Sequence, residues 1–300
     1  MLQRLPISHA HQTWDSDFLL IVMESILEIE PVIRLGCFLG MLALITLWEV
    51  KLPRRQLLHS KRIRWLGNLG MMLINTGLLR ILVPTAAVGF ALVVDEVGWG
   101  LLNQLPIANW AIFVIAVISL DLAIYLQHVL FHAVPALWRI HRMHHADLDF
   151  DVTTGLRFHP IEILLSMGIK LGVIAVLGAP AAAVLMFEIL LNATSMFNHG
   201  NIRLPVNVDR VLRWFVVTPD MHRVHHSITP TETNSNFGFN LPWWDRLLGT
   251  YRAQPVAGHE GMSIGIEQFR DPRDLGMDRM FIQPFRGDVG DYPINRDGSE

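Results

Sequence analysis

Apolar residues along this chain come in blocks long enough to cross a bilayer, separated by short polar stretches. Residues 31–50 are a mostly apolar run of about twenty residues, the length a helix needs to span a hydrocarbon core of about 30 Å. A second block runs from about residue 66 to 94 with Arg80 and Pro84 inside it, and a third from 110 to about 127. From 161 to 194 the chain is apolar again but broken at Gly178 and Pro180. This predicts two short helices joined by a tight turn, entering the membrane and returning. Residues 18–30 carry Glu24, Glu28 and Glu30, which predicts an interfacial helix rather than a separate crossing.

Composition agrees: 51% of the residues are hydrophobic and only 17% charged, against about a quarter charged in soluble domains. The expected fold is an all-α integral membrane protein, with about four transmembrane helices and a cytoplasmic helical cap. Lys51, Arg54, Arg55, Lys61, Arg62 and Arg64 make a short basic loop that the positive-inside rule assigns to the cytoplasm, whereas residues 95–109 hold no Lys or Arg. A formal charge of −3 offers no general attraction for nucleic acid. The single cysteine, Cys37, excludes a disulfide framework and a thiolate metal site, and is expected to be a small buried apolar residue. The first seventeen residues lack the pattern of a removable signal peptide, and residues 287–300 predict a loosely ordered tail.

Eight of the fourteen histidines fall into three groups: His128 and His132 in HVLFH, His141, His144 and His145 in HRMHH, and His222, His225 and His226 in HRVHH. Spacings of three or four put imidazoles on one face of a helix. Eight imidazoles exceed the roughly six positions of one octahedral ion, so two metals are expected, of a kind ligand type alone does not choose. No Cys or Glu joins the groups, and Asp121 and Asp220 are the acids expected to orient the rings. Asp147, Asp149 and Asp151 flank them. The isolated His9, His11, His59 and His259 read as surface residues.

The order D-x3-Y-x2-H-x3-H from Asp121 to His132, H-x2-HH from His141 to His145, RFHP from Arg157 to Pro160, NHGN from Asn198 to Asn201, TPDMHRVHH from Thr218 to His226 and NFGFNLPWWDRLLGTY from Asn236 to Tyr251 resembles the fatty acid hydroxylase and sterol desaturase superfamily. Phe237 and Leu248 depart from its closing motif, where Tyr and Phe are frequent. The resemblance implies a membrane-bound non-haem di-iron oxygenase that uses O2 and two electrons to hydroxylate or desaturate a lipid. It carries the ligand role to the eight grouped histidines, and adds His159 and His199. The implied organisation is an N-terminal segment (1–30), N-terminal transmembrane helices (31–109), a catalytic region (110–252) and a cytoplasmic tail (253–300).

Electrons would come from an external protein of ferredoxin or cytochrome b5 type. The basic stretch 51–64, with Arg139, Arg142 and Arg223, is a candidate docking face, although topology alone accounts for the basic stretch. The membrane would be the bacterial cytoplasmic membrane, or the endoplasmic reticulum in a eukaryote, with the metal site on the cytoplasmic face. Two other classes compete. A divalent-metal transporter would spread its ligands along a pore at mid-membrane, and a metal-dependent lipid hydrolase would work without O2 or reductant.

Overall fold

The computed structural model describes residues 29–295, so almost all of the expected interfacial helix lies outside the described residues. Helix α1 covers Glu30–Lys51, with proline in its first turn and Lys51 in its last, each suited to its end. Helix α2, Lys61–Leu82, and helix α3, Ala86–Glu96, divide the second apolar block. Pro84 has no N–H to give a helix, and the chain breaks there. Helix α4, Asn109–Ala133, is followed after Val134 by α5, Pro135–His145. Helices α6, Pro160–Leu177, and α7, Ala181–Asn198, are the apolar pair on either side of Gly178. At 18 residues each they span about 27 Å. They are therefore not the short helices expected, and five segments are long and apolar enough to cross a membrane: α1, α2 with α3, α4, α6 and α7. Short helices α8 (Val206–Leu212) and α9 (Pro219–His225) follow. Among the described residues there are no strands, only isolated bridges such as Ser227 with Ile264.

The helices pack through small and branched residues. Ala87 and Ala91 of α3, Ala116 and Leu120 of α4, Ile174 of α6, and Ala183, Val184 and Phe187 of α7 form one buried cluster. Small side chains let apolar helices approach closely where lipid gives no hydrophobic drive. Large apolar side chains such as Leu39, Leu47, Ile81, Trp110 and Val176 are exposed, as a lipid-facing surface requires. Cys37 is on that outer surface rather than buried. At the end of the bundle away from the histidines, Gly100 and Gly178 meet in left-handed conformations, φ +106° and +68°. A Cβ on Gly100 would lie 2.1 Å from the nitrogen of Gly178.

At the other end, charge holds the connections in place. Arg64 of α2 donates to Asp147 at 2.6 Å and to Asp151 at 2.6 Å, all three fully buried. Asp149 accepts the backbone N–H groups of Leu58 and His59, and Glu49 accepts those of Val152 and Asn201. Residues 287–295 belong to this end rather than to a loose tail. Tyr292 is buried and stacked on Trp138, and the amides of Ile294 and Asn295 donate to the carbonyls of His132 and Ala133.

Candidate metal centre

Nine buried imidazoles converge where α4, α5, α7 and α9 meet. His128 and His132 lie one turn apart at the end of α4, and His141, His144 and His145 line α5. His199 follows the last turn of α7, and His222, His225 and His226 come from α9 and its cap. They form two sets: His128, His132, His141, His145 and His225, and His144, His199, His222 and His226. Within each set the nitrogens lie within 4.8 Å of one another. Adjacent residues of α5 and α9 serve different sets, which explains the doubled histidines in HRMHH and HRVHH.

The hydrogen bonds show which nitrogen each ring presents. His128 Nδ1 faces the Phe237 carbonyl at 2.7 Å, His144 Nδ1 that of Arg157 at 3.2 Å, His199 Nδ1 that of Ser195 at 2.7 Å, and His225 Nδ1 that of Ser235 at 2.8 Å. A carbonyl can only accept, so each Nδ1 carries the proton and each neutral ring turns a lone pair inward at Nε2. His132 Nδ1 meets Asn234 Oδ1 at 3.0 Å, with the amide oriented by its own donation to the Tyr292 carbonyl. Glu162 accepts from His141 Nδ1 at 2.6 Å. The Nε2 atoms then face one another: 3.1 Å for His128 with His141, and 3.2 Å for His199 with each of His144, His222 and His226. Lone pairs at that distance repel unless a cation lies between them. Nitrogens each about 2.1 Å from one ion stand about 3.0–3.4 Å apart. The donor set therefore fits two metal ions, one per set.

Burial, and then repulsion among neighbouring imidazoles, pushes His144, His145, His222, His225 and His226 well below the ordinary histidine value. Neutral rings are the ligand form.

Several sequence expectations are redrawn. His159 lies outside both sets: its Nδ1 accepts from the Ile161 amide at 3.2 Å and caps α6. Asp121 touches no imidazole, accepting instead from Asn240 at 2.7 Å and Trp244 at 2.8 Å. Asp220 pairs with Arg223 and Arg54. Arg142 and Arg223 are buried and offer no docking face, and His259 is buried beside Asp220. The ring-orienting groups the sequence did not single out are Glu162, Asn234 and four backbone carbonyls. Three of these carbonyl and amide groups lie in residues 234–237, and this loop has its own anchor. Asp245, of the short helix Trp243–Leu247, accepts the Phe237 and Gly238 amides at 2.8 and 2.9 Å. The closing motif thus reaches His128 through the backbone of Phe237.

A cavity of about 520 Å³ opens from the first set, with His128, His141, Glu162, Phe131 and Phe239 on its wall, and continues between α1, α2, α6 and α7. That is the size of a small-ligand site, placed among membrane-spanning segments.

The fatty acid hydroxylase family matches residues 113–250. The chain is 28% identical over 228 residues to an ornithine lipid hydroxylase of Rhizobium tropici, covering 73% of this chain and 66% of that protein. It is 26% identical to the human alkylglycerol monooxygenase, over 51% of this chain and 34% of that protein. With the human cholesterol 25-hydroxylase it shares 27% identity over 45% of this chain and 49% of that protein. The chain thus spans less than two thirds of the length of these relatives. No solved structure matches it. The apolar helices and these membrane-enzyme relatives make it an integral membrane protein. All nine clustered histidines lie within residues 113–250, the stretch that matches the fatty acid hydroxylase family.

Proposed function

We propose that this protein is a membrane-bound oxygenase that hydroxylates or desaturates a C–H position of a lipid, using O2, two iron ions and electrons from a ferredoxin- or cytochrome b5-type donor. The observation that carries the reading is the junction of the first histidine set, through His128 and His141, with an apolar cavity among the membrane helices. Bound iron would supply O2 activation and removal of hydrogen from an alkyl carbon, which no side chain can perform. The nine histidines would hold the ions, and Glu162 would orient His141 while offsetting positive charge. Phe131 and Phe239 exclude water from the cavity wall beside His128. The basic loop 51–64 supports a cytoplasmic metal site, with residues 110–252 as the catalytic unit.

The test is metal content and product formation in the full chain purified after growth with iron. Near two irons per chain, reduced in His144→Ala and in His225→Ala, together with an O2-dependent change in the lipid extract, is the expected result. A chain that binds no iron after reconstitution overturns the oxygenase reading. Lipid turnover without O2 or reductant would instead assign a hydrolase.

A further inference from the structure

The cavity has a second polar end. Its wall includes Arg34 of α1, Arg80 of α2, Lys170 of α6 and Glu188 of α7. Lys170 Nζ meets Glu188 Oε1 at 2.6 Å and Arg34 Nη1 meets Glu188 Oε2 at 2.9 Å, so one buried carboxylate is shared by two cations. Arg34 also holds Glu30 at 2.7 Å. Arg80 makes no hydrogen bond or ion pair among the described residues. Three cations thus face two carboxylates. The Lys170 ammonium has three donors and spends one on Glu188. Unneutralised charge among membrane helices is costly and marks a polar ligand or pathway. Lys170 stands eight residues beyond Glu162 on α6, about 12 Å along the helix, so the polar end and the histidine end are separated by a mostly apolar channel.

We propose that this end is an oxyanion site. Arg34, Lys170 and Arg80, arranged by Glu188, receive the carboxylate or phosphate of an acidic amphiphile. The chain then runs along the channel, and the distance from that group to the histidines selects the carbon that reacts. Only this last step rests on the lipid-oxidation reading; the binding step does not.

The full chain in detergent, stripped of metal, is titrated with the fluorescent fatty acid cis-parinaric acid and with its methyl ester, which has the same chain without the charge. The acid binds about tenfold more tightly or better, about 1.4 kcal/mol. Lys170→Met and Arg80→Gln shrink that preference, while Lys170→Arg keeps it. Each variant is reloaded with iron, and binding is compared only where iron content matches the parent, which separates lost recognition from lost folding. Arg80 is exposed and makes no hydrogen bond or ion pair among the described residues, so its variant remains informative if Lys170→Met does not fold. Equal binding of acid and ester to the parent chain overturns the proposal, as does undiminished preference in both neutral variants. Millimolar inorganic phosphate that displaces the acid as well as unlabelled oleate does would mean a site filled from water, and also overturns it. Acid preference without any oxidised product would leave this site standing and remove the oxygenase reading, and the converse result would do the reverse.

Discussion

Glu162 accepts a hydrogen bond from His141 Nδ1 at 2.6 Å across 21 residues of sequence, the one carboxylate that touches a clustered imidazole among the described residues. Its other oxygen is buried without a hydrogen-bond partner. A carboxylate behind a ligating histidine fixes the tautomer and makes the ring a stronger donor. Glu162→Gln keeps the shape and removes the charge. The expected result is loss of iron from one set, with affinity down about 10- to 100-fold, measured as iron retained per chain after a graded chelator challenge. Retention equal to the parent would show that Glu162 serves only the packing of α6.

His159 and His199 were equivalent candidates in the sequence and are separated by the structure. His199 Nε2 lies 3.2 Å from three other imidazole nitrogens, while His159 caps α6. His199→Ala should halve the iron content. His159→Ala should retain both irons and lower stability by about 1 kcal/mol, the usual worth of a helix cap. Iron analysis and thermal melts of the two variants, side by side, decide this; iron loss in His159→Ala alone would reverse the assignment.

The contrast shows what a sequence can and cannot display. Three histidine groups were legible because metal ligation demands i, i+3 and i, i+4 spacing within one helix, and the helices themselves because lipid demands long apolar runs. Glu162 was hidden because its partner is on another helix, and an acid in a first helical turn has an ordinary local explanation. Asp121 and Asp220 misled for the reverse reason: each is close to a histidine group in sequence, yet each folds away to fasten a loop or an arginine. The backbone carbonyls of Ser195, Phe237 and Ser235 carry no sequence signal at all. Residues 287–295 look like a polar tail, but the burial of Tyr292 against Trp138 makes them part of the site's casing.

Asp245 gives a pH dependence of definite sign. Burial, opposed by the Thr250 hydroxyl and the Phe237 and Gly238 amides, raises its pKa to about 6. The unfolded value is about 3.9. The folded chain therefore holds this proton more tightly, and the contribution of Asp245 to stability grows as pH falls from about 6 towards 4, by up to about 3 kcal/mol. The depressed histidines act oppositely, because unfolding lets them take up protons below about 6.5, so the whole protein should lose stability on acidification. Asp245→Asn isolates the aspartate. The gap in melting temperature between parent and variant should widen in the parent's favour from pH 7 to pH 5; a constant gap would refute the assignment.

Arg64 offers the sharpest test of how the histidine end is held. Its guanidinium spans Asp147 and Asp151 at 2.6 Å each, with no exposure on any of the three side chains. This ion cluster ties α2 to the segment that follows HRMHH. The guanidinium keeps Asp147 well below the usual carboxylate range, against the burial that would raise it. Arg64→Met leaves two buried acids without their cation, which costs about 3–5 kcal/mol. Lysine supplies charge but cannot span both carboxylates with a planar fork, so Arg64→Lys should fall between the two. The expected ranking in melting temperature and in iron retained is parent, then Arg64→Lys, then Arg64→Met. If Arg64→Met melts with the parent, the segment 147–151 is held by its other hydrogen bonds, from the Leu58 and His59 amides to Asp149, from Asn68 to Asp147 and from Trp65 to Asp151, and the ion cluster is dispensable.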